Sequence, residues 1–132
     1  MSMRTISTAL SSTVVALAFA ACTSAPVYNV SNSPVNPTSG KALQASQVRQ
    51  AIITGGTALG WRIVDAGPGR LEGTLNLRTH MAVVDIPYSA TQYGIQFKSG
   101  ENLKAEDGSI HKNYNGWIQN LERNIRAEIA RL

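Results

Sequence analysis

The chain has 132 residues, 43% of them apolar and 15% charged, with a formal charge of +4. These values belong to one globular domain, not a disordered chain, and the absence of any run of five or more basic residues argues against nucleic acid as a partner. Cys22 is the single cysteine, which excludes an internal disulfide and any multi-cysteine metal or iron–sulfur site.

The chain opens with a short positive stretch ending at Arg4. An apolar segment follows from Ala9 to Ala21, diluted by Ser11, Ser12 and Thr13 and dense from Val14. It reads as a signal-peptide core, too short for a stable membrane span. The segment ends in Phe19-Ala20-Ala21-Cys22-Thr23. This ending resembles the bacterial lipobox, in which an apolar residue and two small ones precede a cysteine that becomes the first mature residue. The resemblance implies a signal peptide over 1–21, cleavage between Ala21 and Cys22, and a thioether-linked lipid with further acyl chains such as palmitate on Cys22. Phe19 stands where leucine is commoner. Ordinary cleavage after Ala18-Phe19-Ala20 is the alternative, and it would leave a free thiol. Thr23, rather than Asp, after the cysteine implies sorting to the outer membrane.

Residues 22–45 contain Pro26, Pro34 and Pro37 among many Ser, Thr and Asn. That composition predicts a flexible, lipidated tether with a root-mean-square span of roughly 25 Å. Val27–Val30 is a β-prone island within it that could add to a sheet edge. The domain proper is assigned to 46–132. Ser46 is placed to cap a helix whose Val48, Ala51, Ile52, Gly55 and Leu59 share one face, with Gly60 as its stop. The Gly55-Gly56 pair marks close packing and not a phosphate loop, because no Lys-Ser/Thr follows it.

Four strands come next. Trp61–Asp65 leads into the Ala66-Gly67-Pro68-Gly69 turn, and Leu71–Arg78 then alternates apolar and polar residues. Ala82, Val84, Ile86 and Tyr88 mark a third strand; Tyr93, Ile95 and Phe97 mark a fourth. A polar loop is expected from Ser99 to Ser109. A closing helix from about Asn113 carries the stripe Tyr114, Trp117, Ile118, Leu121, Ile125, Ile129 and Leu132, with Glu122 and Arg126 as an (i, i+4) pair. The fold expected is α+β: helix, four-stranded antiparallel meander, helix, with both helices packed on one face of the sheet.

From Gly60-Trp61 onwards the chain resembles small, largely uncharacterised lipoproteins of Gram-negative bacteria. The resemblance rests on Arg78-Thr-His80-Met-Ala-Val-Val-Asp85-Ile-Pro-Tyr88, Tyr93-Gly-Ile-Gln-Phe-Lys98-Ser, Asn102-Leu103, and Ile110-His111-Lys-Asn-Tyr114-Asn115-Gly-Trp117-Ile-Gln-Asn120-Leu121. It implies a periplasmic address and carries over no catalytic residue.

Few residues invite a site. His80 and His111 are the only histidines, and a metal would need both with a third ligand such as Asp85. Their spacing favours a plainer role, hydrogen bonding to a loop or a helix start. Ser89, Ser99 and Ser109 lack a nucleophile elbow, and Glu101, Glu106 and Asp107 fall in one exposed loop, so no catalytic, metal or cofactor site is expected. Arg78, His80, Asp85 and His111 remain as candidate binding residues, while Trp117 is assigned to the core. The expectation is a non-enzymatic lipoprotein held to a membrane through Cys22, facing the periplasm and serving as an interaction or envelope-assembly accessory with a possible envelope protein partner. The alternative is a module that binds an anionic envelope component such as lipopolysaccharide or peptidoglycan.

Overall fold

The computed structural model describes residues 2, 3, 9, 11–15 and 23–132. The cleavage motif, with Ala21 and Cys22, lies outside the described residues. None of the helices described is long and apolar enough to cross a membrane.

Nine elements follow from Thr23 onwards: β1 (Ser24–Pro26), β2 (Val30–Pro34), α1 (Ala45–Thr57), β3 (Arg62–Asp65), β4 (Arg70–Leu77), β5 (His80–Pro87), β6 (Gln92–Glu101), β7 (Ser109–His111) and α2 (Lys112–Ala130). The main sheet has five antiparallel strands in the order β2-β6-β5-β4-β3, and β1 pairs with β7 apart from it. This corrects the expected four-stranded meander between two helices. Two of the extra strands, β1 and β2, come from the stretch assigned to a tether; the third, β7, lies just before the closing helix. That stretch carries few large apolar side chains, so its pairing is not written as alternation.

One face of the sheet supplies the core. Leu71 and Leu75 of β4, Ala82, Val84 and Ile86 of β5, and Tyr93 and Ile95 of β6 are buried. They meet Val48, Ala51 and Ile52 of α1 and Tyr114, Ile118, Leu121, Ile125 and Ile129 of α2 in one cluster. Period two in the strands and period 3.6 in the helices place these residues on facing surfaces. The ring of Tyr114 meets Phe97 edge-on at 5.3 Å between centroids, which ties α2 to β6. Gly55 is required where the helices touch, since a Cβ there would stand 3.0 Å from the Ile125 backbone nitrogen. The Asn124 side-chain amide donates to the Gly55 carbonyl at 3.2 Å across the same contact.

Several boundaries differ from expectation. The cap of α1 is Gln44, whose N–H donates to Gln47 Oε1 at 2.9 Å, and Ser46 lies inside the first turn. Leu59 falls beyond the helix and Leu132 beyond α2; both are exposed. Tyr88 follows β5, where it makes an isolated bridge to Tyr93 and donates its N–H to the Gly69 carbonyl at 2.9 Å. The polar loop is shorter than expected, because β6 runs to Glu101 and β7 begins at Ser109. Leu103 inside it and Ile110 in β7 just after it are fully buried, and they pin this loop to the core.

Candidate functional site

The end of the molecule where α2 begins gathers residues from four separate stretches of chain. The β4–β5 hairpin closes with Leu77 paired to His80, leaving Arg78 and Thr79 as a two-residue turn. Arg78 holds φ of 56°, a left-handed conformation that costs a non-glycine residue about 1–3 kcal/mol. Asn102 reaches the turn by donating from Nδ2 to Thr79 Oγ1 at 3.1 Å, and its carbonyl faces His80 Nδ1 at 2.8 Å. Because the partner is a carbonyl, His80 Nδ1 carries the proton and donates.

His111 precedes α2 as its N-cap, and its Nδ1 accepts from the Asn113 N–H at 3.2 Å. The same residue is held from behind by its own N–H donating to the Leu103 carbonyl at 2.7 Å. These two anchors bring the His80 and His111 rings to 5.6 Å between centroids, with Trp117 5.9 Å from His80. Both imidazoles thus serve the backbone through Nδ1, one as donor and one as acceptor. Beside them Leu59, Trp61, Leu75, Leu77, Trp117 and Asn120 line a cleft of about 110 Å³. Trp61 is buried, whereas Leu77 is 43% and Leu59 37% exposed. Trp117 packs against the core cluster from this rim but is only half-buried there, short of the full burial that its assignment to the core implies.

Asp85 does not join this end. It lies five residues along β5 from His80, and strand alternation turns the two to opposite faces. There it pairs across to Glu72 in the strand register and stands 3.9 Å from Lys98 Nζ, which binds Glu72 at 2.7 Å. The hydrogen bond that Lys98 donates to the Glu72 carboxylate, with the Asp85 charge beside it, holds the Lys98 ammonium above its usual pKa. Among the described residues no group of three or more His, Cys, Asp or Glu is placed to hold a metal ion. Arg78, Lys104 and Lys112 at this end are matched by Glu101, Glu106 and Asp107, all exposed. The end therefore carries no basic excess toward an anionic ligand.

The N-terminal segment is stapled to the same end and along α2. The Lys112 N–H donates to the Thr23 carbonyl at 2.8 Å, and Ser24 to Pro26 pair with His111 to Ser109. Asn115 then clamps the backbone that follows, accepting from the Tyr28 N–H at 2.9 Å and donating to the Pro26 carbonyl at 2.8 Å. The Tyr28 hydroxyl donates to Glu122 Oε2 at 2.8 Å, and Arg126 pairs with the other Glu122 oxygen. That bond to a carboxylate raises the Tyr28 phenol above its usual pKa. Burial does the same for Tyr93 and, most strongly, for Tyr114. Asn29 Oδ1 accepts from the Phe97 N–H at 3.0 Å, so β2 enters the sheet already in register.

Asn102, Lys112 and the cleft escape the sequence reading, as does the clamp that Asn115 makes. Asn102, Lys112 and Asn115 all lie inside the stretches on which the family resemblance rests, the one signal in the sequence that touches all three. Comparison of the chain with protein-family models, with curated proteins and with solved structures finds no match.

Proposed function

We propose that the chain is a bacterial lipoprotein, cleaved before Cys22, anchored by lipid on that cysteine to the outer membrane, with its domain in the periplasm. Its role is non-enzymatic, as an interaction or envelope-assembly accessory. The observation that carries this reading is the sequence Phe19-Ala20-Ala21-Cys22 at the end of an apolar leader, because it places the only thiol where a lipoprotein peptidase would leave it as the first residue. Two acyl signals suffice for stable anchoring where one chain binds only marginally. The His80–His111 pair supports a structural and binding role over catalysis, since each Nδ1 is engaged with backbone and Asp85 faces away.

The test is intact mass spectrometry of the detergent-extracted mature protein. It should begin at Cys22 and carry a diacylglycerol thioether with an N-acyl chain. Cys22→Ser should leave uncleaved precursor or a soluble periplasmic form. A mature chain with unmodified Cys22 overturns the proposal.

A further inference from the structure

The fold begins one residue after the lipid-bearing cysteine, and this fixes more than the address. Consecutive Cα atoms are 3.8 Å apart, so Cys22 lies within that distance of Thr23, whose carbonyl is bound by the first residue of α2. From Ser24 the chain is already paired with β7. A tether of roughly 25 Å, the expectation for a free linker of this length, does not separate anchor and domain. The chain reaches its first proline, Pro26, inside a strand and under the Asn115 clamp.

We propose that the domain is mounted rigidly on the phospholipid surface of its anchoring membrane, standing on the end that holds Arg78, His80, His111, Lys112 and Trp117. This rests on the lipidation of Cys22 argued above. The surface around the attachment point suits a headgroup layer. Leu77 and Leu59 are exposed beside a half-buried Trp117, and tryptophan favours the depth where hydrocarbon meets headgroup. The long side chains of Arg78 and Lys112 can lay their stems on apolar surface while their charges reach phosphate. Glu101, Glu106 and Asp107 balance the cations, so the contact does not depend on anionic lipid.

The same geometry decides what points away. The 19 residues of α2 span about 28 Å at the helical rise. At its far end the Thr38 N–H binds the Ala130 carbonyl and the Val35 N–H binds the Thr91 carbonyl. The stretch around Lys41 and the β5–β6 turn is therefore held off the bilayer, presented to the periplasm for any partner.

The experiment uses the full lipidated protein in phosphatidylcholine vesicles, with a fluorophore on a single added cysteine, either Lys112→Cys or Lys41→Cys. Vesicle flotation is scored first, and the probe is then quenched by lipid carrying a headgroup nitroxide. A separation of about 28 Å along α2 should make quenching at position 112 several-fold stronger than at position 41. Inserting about 12 Gly/Ser residues between Cys22 and Thr23, a coil of about 20 Å, should bring the two positions close to equal. Protein that floats but quenches equally at both positions without the insertion overturns the rigid mount and leaves the anchor intact. Protein that fails to float overturns the anchor itself, and the mount with it.

Discussion

The β4–β5 hairpin and the N-terminal segment are both antiparallel pairings, yet they are held by different forces. The hairpin keeps an unbroken register from Arg70–Pro87 to Leu77–His80, and Leu71, Leu75, Ala82, Val84 and Ile86 fasten it to the core. The N-terminal strand β2 meets β6 at only three positions, with a register shift around left-handed Asn32. Only Val30 and Ser33 of β2 are buried. Beyond Val30, much of what holds this segment is polar: Asn115 on its backbone, Tyr28 on Glu122, Asn29 on Phe97. Burial scales with area and tolerates small changes, whereas a hydrogen-bonded staple fails when one partner is lost. The two regions should therefore answer mutation differently.

The sharpest break is to remove the stapled segment. A chain beginning at Lys41, expressed without the leader, lacks Val30, worth about 1.5–3 kcal/mol of burial, and the Tyr28 bond to Glu122, worth about 1.5–3 kcal/mol. It also leaves Glu122, 7% exposed, without its phenol partner. The expected loss is about 4 kcal/mol or more, a large part of the roughly 5–15 kcal/mol that stabilises a domain. Urea unfolding compared with a chain beginning at Thr23 measures it. Equal midpoints for the two chains would show the segment to be a decoration.

Next in size is Asn115→Ala. It deletes both clamps at once and leaves the Tyr28 N–H and Pro26 carbonyl to find water. About 2 kcal/mol should be lost, from two bonds worth about 0.5–1.5 kcal/mol each. By contrast, alanine at Asn120, a neighbouring helix position that only receives a bond from Arg123 at the exposed surface, should change the midpoint little. A similar loss at both positions would mean that the clamp contributes nothing specific.

The contrast also explains what could be read from the sequence. Alternation of Leu71, Leu75 with Glu72, Asn76 announces a half-buried strand, and the stripe Tyr114, Ile118, Leu121, Ile125, Ile129 announces a helix with one buried face. Those signals arise from burial. Ser24–Pro34 offers Ser, Asn and Pro, the vocabulary of linkers, because much of its stability lies in bonds to Asn115 and Glu122 about 90 residues away. Arg78, His80 and His111 are legible as candidates, but what joins them is hidden for the same reason. His80 and His111 meet only through the Asn102–Leu103 corner, and no local pattern encodes that meeting. Asp85 was grouped with them by nearness in sequence, which strand alternation undoes.

A smaller effect tests the Tyr28–Glu122 staple through pH. The Tyr28 phenol titrates above its unfolded value of 10.0 in the folded chain. An acid whose folded pKa is raised contributes stability that is fully present below the unfolded pKa and is lost as pH rises through the folded one. Stability should therefore fall above pH 10, with Tyr93 and Tyr114, also raised, adding to the slope. Tyr28→Phe should cost about 1.5 kcal/mol at neutral pH, the low end of the range for one bond to a charged group, and make the alkaline fall shallower. An unchanged alkaline slope in Tyr28→Phe would place that pH dependence elsewhere.

The smallest change is expected at the tip of the hairpin, where the register is set by the core and not by the turn. Arg78 is forced to φ of 56°, which costs an L-residue about 1–2 kcal/mol. Glycine accepts that conformation freely but loses about 0.5–1 kcal/mol more backbone entropy on folding. The two terms nearly cancel, so Arg78→Gly should raise stability by about 0.5 kcal/mol, seen as a slight rise in the urea midpoint with an unchanged slope. Among the described residues the exposed arginine side chain makes no hydrogen bond or ion pair, so nothing in the fold opposes its removal. A loss above about 1 kcal/mol, the scale of one net hydrogen bond, would show that Arg78 fastens the Asn102 corner after all. A neutral outcome would instead leave the strained arginine as a residue whose value lies outside the fold, at the surface that the rigid mount turns toward the bilayer.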